Sequence, residues 1–223
     1  MRRNLDPNIG DKGLRGRDIR IPTVAESPRT VTSANQPIDV SWIPPCEGAS
    51  GGRLGLTYCP GKHITARNGV QYARDLRADL SRLKQEHGVH VIVCLLPDAE
   101  LRYLRVRDYA AAVAAHHMTY MQLPIIEMAP PDDMQRACAL VEGVVEQLQA
   151  GRTVVVHCKG GVGRAGLLAA CVLIRLGVCG SAQEAIDTVR RYRRGAVESR
   201  KQEDFVGAFW RLRAGRDKDV KEA

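Results

Sequence analysis

The apolar residues of this chain change their spacing several times between residues 37 and 213, and each change marks an element. IDVSWI at 38–43 and RLGLTY at 53–58 are short runs rich in apolar and β-branched residues, separated by the turn-forming EGASGG; both predict strands. A PGKH loop follows. Over 70–86 the residues Val70, Ala73, Leu76, Leu80 and Leu83 recur three or four positions apart, which predicts an amphipathic helix ending at Gly88. VHVIVCLL at 89–96 is almost continuously apolar, as a strand covered on both faces must be.

Beyond it, PDAELRYL and DYAAAVAAHH predict short helices, MTYMQLPI a strand, and PDDMQRACALVEGVVEQLQ a helix with acidic residues in its first turn. TVVVH at 153–157 is a second buried strand. GRAGLLAACVLIRLG is apolar nearly throughout and predicts a central helix; AQEAIDTVRRYRR and SRKQEDFVGAFWRL predict two more. Strands alternating with helices imply an α/β fold, a single domain whose mostly parallel central sheet is flanked by helices. Residues 1–36 show no periodicity and read as a flexible tail, 37–213 as the domain, and 214–223 as a charged C-terminal tail. No internal repeat is present.

Composition narrows the function classes. The net charge of +8 favours anionic partners, yet aromatic residues make up only 4% and are not interleaved with basic ones, which argues against nucleic acid. Seven cysteines, an odd number without a CxxC pair, point to a reducing compartment, and the cytoplasm is expected. No signal peptide is visible at the start, and the longest apolar run, 166–176 interrupted by Arg175, is too short to cross a bilayer. The arginine-rich RDIR and RRYRR segments read as solvated faces or as docking patches for an acidic substrate.

The chemistry concentrates at VVVHCKGGVGRAG, 154–166. A bare C-x5-R spacing is weak, since seven cysteines in an arginine-rich chain give on the order of one match by chance. The context is stronger: a buried strand ends at Cys158, Gly160, Gly161 and Gly163 follow, and an apolar helix starts near Arg164. That strand, loop and helix layout turns successive backbone N–H groups toward an anion. Lys159, Gly160, Gly161, Val162, Gly163 and Arg164 are therefore the expected phosphate-binding residues. Positive charge and N–H dipoles favour a thiolate at Cys158, and Arg164 can hold two phosphate oxygens at once. His157, at the strand end, is expected to orient the loop. No metal or cofactor is called for.

HCKGGVGR resembles the HCxxGxxR signature of the cysteine-dependent protein phosphatases, in their compact dual-specificity branch. QPIDVSWI, LTYCPGKH, VIVCLLPDAEL, the PII segment and RRGAVESRKQ are similar, in order and at similar spacing, to blocks of the kinase-associated phosphatases, over about residues 37–212. The resemblance implies hydrolysis of phosphoserine, phosphothreonine and phosphotyrosine through a phosphocysteine intermediate, with a phosphorylated protein, such as a kinase, as partner. It implies a general acid at Glu127, where the family has aspartate; Asp132, five residues on, is the rival acid or else a helix cap. It implies that Gln202 stands near the attacking water, and that Cys94 can close a disulfide onto oxidised Cys158. Lys159 is similar to the lysine at that place in the phosphoinositide phosphatase tensin homologue. Ala165 replaces the hydroxyl residue that most members carry and, as in the phosphatases of regenerating liver, implies slow turnover. Two other readings stay open: a phosphatase of a non-protein ester, such as a phosphoinositide or an RNA 5′ end, and a pseudophosphatase that only binds phosphorylated partners.

Overall fold

A computed structural model describes residues 29–44 and 51–221 of the chain. Its core is a five-stranded sheet in the order β2 (Ser41–Ile43), β3 (Arg53–Tyr58), β8 (Thr153–Cys158), β6 (Val91–Cys94) and β7 (Thr119–Gln122). Only β2 runs antiparallel to its neighbour. Every residue of β6 and β8 is buried, as the continuous apolar runs require. The central position of β8 aligns Tyr58 with Cys158 and Cys94 with His157, so three parallel strands end together at one edge of the sheet. Open parallel sheets bind ligands at that edge.

The helices are α1 (Leu76–Gln85), α2 (Asp98–Tyr103), α3 (Tyr109–Ala115), α4 (Met134–Gln149), α5 (Gly163–Leu176), α6 (Ala182–Tyr192) and α7 (Arg200–Lys221). The crossovers from β3 to β6 and from β7 to β8 step across the sheet in opposite directions. Right-handed connections therefore place α1 and α4 on opposite faces. Helix α5 is buried from Gly163 through Ile174 and packs against α4, α6, α7 and the sheet, the central place its composition predicts.

Three expectations change. The predicted 70–86 helix starts only at Leu76, because Asp75 caps it by accepting from the Ala78 N–H at 2.7 Å. Residues 71–73 form instead β5 (Gln71–Ala73), the middle strand of a small sheet with β1 (Thr30–Val31) and β4 (His63–Thr65). The spacing of Val70 and Ala73 matched the helix period without being part of it. The same small sheet takes in Thr30 and Val31, part of a stretch that the lack of periodicity had assigned to the tail; residues 1–28 lie outside the described residues. At the other end, helix α7 continues through the expected C-terminal tail to Lys221.

A buried ion pair locks these pieces together. Arg74 grips Asp79 with two hydrogen bonds, of 2.9 and 2.7 Å, and both side chains are essentially inaccessible. Arg74 also donates to the carbonyls of Thr32 and Gln36, while Asp79 accepts from the Gly61 N–H at 2.9 Å. One pair thus joins the N-terminal segment, α1 and the loop after β3. Removing one member of such a pair leaves a buried charge uncompensated. Asp79→Ala is expected to lower the unfolding free energy by about 3–5 kcal/mol, read from the urea midpoint. A loss below about 1 kcal/mol, the range of an exposed pair, would show that Arg74 reaches water instead.

Candidate active site

Cys158 is the last residue of β8 and Gly163 the first of α5. The chain between them turns tightly. Gly161 has φ 70°, and a Cβ there would meet the Thr57 carbonyl oxygen at 2.2 Å, so only glycine fits. Its N–H donates to Cys158 Sγ at 3.2 Å. The carbonyls of Gly160 and Gly161 accept from Arg193, which follows α6, at 2.9 and 3.0 Å. The Lys159 carbonyl accepts from the Cys59 N–H and from Lys62 Nζ. Holding the carbonyls from outside leaves N–H groups to line the inside of the loop.

Arg164 is 3% exposed and its guanidinium is fixed on two sides. It donates to both carboxylate oxygens of Glu100, at 2.7 and 2.8 Å, and to the Ile125 carbonyl at 2.8 Å. Burial is the largest influence and opposes its charge, but the hydrogen bonds to Glu100 together with the negative charges of Cys158, Glu100 and Glu127 outweigh it and raise its pKa. Over the loop lies a cavity of about 170 Å³, lined by Cys158, Lys159, Gly160, Val162, Arg164, Glu127, Met128, Glu198 and Gln202. Its size suits a phosphoryl group better than a whole drug-sized ligand, which needs at least about 300 Å³. A larger depression of about 860 Å³ beside α2, α3 and β7 has no cysteine in its lining.

Glu127 reaches this cavity from the loop after β7, and Asp132 does not: Asp132 is exposed and absent from the lining. Nor does Asp132 cap α4; Asp133 does, accepting from the N–H groups of Gln135 and Arg136. The Glu127 carboxylate meets Lys159 Nζ at 2.5 Å. That hydrogen bond, helped by the charges of Lys159, Arg164 and Arg67, holds the carboxyl below its ordinary pKa. Lys159, expected among the phosphate-binding residues, has its side chain turned onto the carboxylate.

Gln202 is fully buried. Its carboxamide accepts from the Glu198 N–H at 2.9 Å and donates to the Ala129 carbonyl at 3.3 Å, bridging the start of α7 to the loop that carries Glu127. Ser199 adds a hydrogen bond to the Met128 carbonyl at 2.8 Å. His157 is buried and, for that reason, held neutral, with its pKa lowered to about 4. Its Nδ1 lies 3.4 Å from the Cys158 carbonyl, and its ring meets the edge of Tyr109.

Cys94 is buried on the strand beside β8, and burial pushes its thiol up to about 11. Cys59, which nothing in the sequence singles out for a role, directly follows Tyr58, the register partner of Cys158, so three thiols gather where three strands end. Cys171 and Cys179 are buried and Cys138 half-buried, as small hydrophobes would be; Cys46 lies outside the described residues.

Four residues of the site lie within segments that resemble the family's blocks, yet nothing in their local pattern marks them out. Glu100 stands in an ordinary short helix, Lys62 in a turn, Arg193 inside a run of arginines, and Glu198 beside a serine in a polar stretch. Lys62 is buried against Tyr58 and Tyr72, and burial lowers its pKa to about 8. Among the described residues, no group of three or more His, Cys, Asp or Glu is arranged to hold a metal ion, and no helix is long and apolar enough to cross a membrane.

A family model described as a Swiss Army Knife protein, DSP-PTPase phosphatase domain, matches residues 72–206. Cyclin-dependent kinase inhibitor 3 of Homo sapiens is 31% identical over 180 residues, covering 78% of this chain and 79% of the relative. Among solved structures, kinase associated phosphatase with serine in place of its catalytic-site cysteine aligns with a TM-score of 0.68 at 27% identity, covering 77% of this chain and 93% of that one. PTPMT1 in complex with PI(5)P aligns with a TM-score of 0.60 at 18% identity, over 74% and 94%; at that identity the likeness is one of fold.

Lys159→Met removes both the hydrogen bond and the charge that favour ionised Glu127. The Glu127 carboxyl is then expected to take up its proton at a higher pH than in the wild type, followed by carbon-detected NMR titration. An unchanged titration would show that the bridge does not form in solution.

Proposed function

The chain belongs to the dual-specificity protein phosphatases, and from that premise we propose that it hydrolyses phosphoserine, phosphothreonine and phosphotyrosine esters through a phosphocysteine at Cys158. The observation that carries the reading is the juxtaposition of Cys158 Sγ, bonded by the Gly161 N–H, with an Arg164 guanidinium fixed by Glu100 in one phosphoryl-sized cavity. Thiolate attack forms the P–S bond and breaks the P–O ester bond, and the departing oxygen takes a proton from Glu127. Arg164 and the loop N–H groups follow the charge on the equatorial oxygens into the transition state.

The Lys159 bridge bears directly on the first step. A carboxyl held ionised is the wrong form for an acid, so the arriving phosphate dianion must draw Lys159 away and let Glu127 pick up its proton. Water then attacks phosphocysteine, the P–S bond breaks, and Cys158 leaves as thiolate. Ala165, buried at the start of α5, offers no hydroxyl to that thiolate, which makes this second step the slow one. The cyclin-dependent kinase inhibitor 3 and kinase associated phosphatase names of the relatives support a phosphorylated kinase as the substrate class. The need to keep Cys158 reduced supports the cytoplasm as its location.

Wild type is expected to release aryl alcohol from an aryl phosphate in a burst equal to the enzyme concentration, followed by slow turnover. Cys158→Ser should abolish both phases. Ala165→Ser should raise the steady rate by about one to two decades and erase the burst, since one charge-assisted hydrogen bond is worth roughly 1.5–3 kcal/mol. No turnover of aryl phosphate, phosphopeptides or phosphoinositides by wild type would favour the pseudophosphatase reading, and turnover of phosphoinositides alone the non-protein one.

The strand-end thiols support a reversible oxidation. Peroxide converts the Cys158 thiolate to a sulfenic acid, and the Cys94 thiol displaces water from it to form a disulfide. Peptide mapping of peroxide-treated protein under non-reducing conditions should find the Cys94–Cys158 link; finding Cys158 joined only to Cys59 would assign the trapping role to the other thiol.

A further inference from the structure

We propose that Glu198 is a second catalytic carboxylate, the base that takes the proton of the water attacking phosphocysteine; the inference rests on the phosphocysteine reading above. Glu198 lines the same cavity as Cys158 and Arg164. Its Oε2 lies so close to the first residue of α5 that a Cβ on Gly163 would come within 2.3 Å of it. The missing side chain of Gly163 is the space the carboxylate uses, at the helix end where the phosphoryl group is held.

The backbone presents this side chain deliberately. Val197, immediately before it, has φ 58°, a left-handed conformation that a β-branched residue adopts only when its surroundings impose it. They do so through Arg190, which donates to the carbonyls of Ala196 and Val197 at 2.9 Å each, and through Gln202, which accepts from the Glu198 N–H. Glu127 is presented in the same way. Met128, immediately after it, has φ 65° in a turn closed by the Ala129 N–H on the Ile126 carbonyl. Two carboxylates thus face one cavity, each beside a strained non-glycine residue, and the Gln202 carboxamide spans their two loops. Strain of this kind collects where geometry matters for chemistry.

Their charge environments differ. Glu127 is engaged by Lys159, whereas the Glu198 carboxylate forms no ion pair among the described residues. Once the leaving group has gone, Lys159 can close again on Glu127, and Glu198 is the acceptor left for the water. Water oxygen then bonds to phosphorus as one of its protons passes to Glu198. The P–S bond breaks with its electron pair on Cys158 Sγ, and Glu198 returns its proton to solvent. The step that Ala165 leaves without a hydroxyl for the departing thiolate is the one that Glu198 assists.

The test is rapid-quench kinetics on the full chain with an aryl phosphate, trapping phosphocysteine for mass spectrometry across pH. In Glu198→Gln and Glu198→Ala, breakdown of phosphocysteine is expected to fall about a hundredfold or more relative to its formation, the usual scale of general-base loss. The intermediate should accumulate, and the acid limb of the breakdown pH profile should vanish, with Glu198→Asp restoring part of both. Breakdown at the wild-type rate, or formation and breakdown slowed by the same factor as a merely structural residue would give, overturns the inference alone. A wild type that forms no phosphocysteine overturns the underlying reading and this inference with it.

Discussion

Everything at the candidate site depends on where one guanidinium points. Arg164 sits in the first turn of a helix that is buried for most of its length, a position that would leave a cation facing the core. Glu100 answers this with two hydrogen bonds, and the Ile125 carbonyl adds a third. The pairing neutralises the buried charge, but it also fixes the plane of the fork, so that the remaining N–H groups have one direction open to them, into the cavity. Helix α2 and the loop of Glu127 are thereby tied to the phosphate loop through a single side chain.

The same economy of polar groups organises the rest. Carbonyls that would repel a phosphate are occupied from outside by Arg193, Lys62 and the Cys59 N–H. Arg74 and Asp79 hold the loop after β3 through the Gly61 N–H, and so position Lys62, its neighbour. A chain with a net charge of +8 thus spends several cations internally, on carbonyls and carboxylates around one loop, and the excess does not by itself describe the surface.

What could be read from the sequence was whatever repeats or clusters. The two buried strands, the apolar helix α5 and the glycine loop all announce themselves through local composition, and the fold class and the positions of Cys158 and Arg164 followed from them. The small sheet β1-β5-β4 did not, because its strands are two or three residues long and their side chains are largely solvent-facing, so no period of two emerges. Helix α1 was extended too far for a related reason: Asp75 looks like any polar residue until its carboxylate is seen on the Ala78 N–H. Glu100, Lys62 and Arg193 carried no local mark because their partners lie dozens of residues away, and neither did Glu198, whose carboxylate stands against the distant Gly163; a lone charged residue in a helix or turn has the same appearance whether it meets water or a buried group.

Arg193 illustrates what this means for reading variation in such chains. It sits among four arginines in five positions, where exchange of one for another polar residue resembles neutral drift of a surface. Yet its two nitrogens brace the outside of the phosphate cradle, and a third hydrogen bond ties it to Ser41 on the edge strand. A natural variant at Arg193 belongs with lesions of the catalytic loop, while its neighbours Arg191 and Arg194, both exposed, belong with the surface. Proximity in sequence groups these arginines together, and the structure sorts them apart.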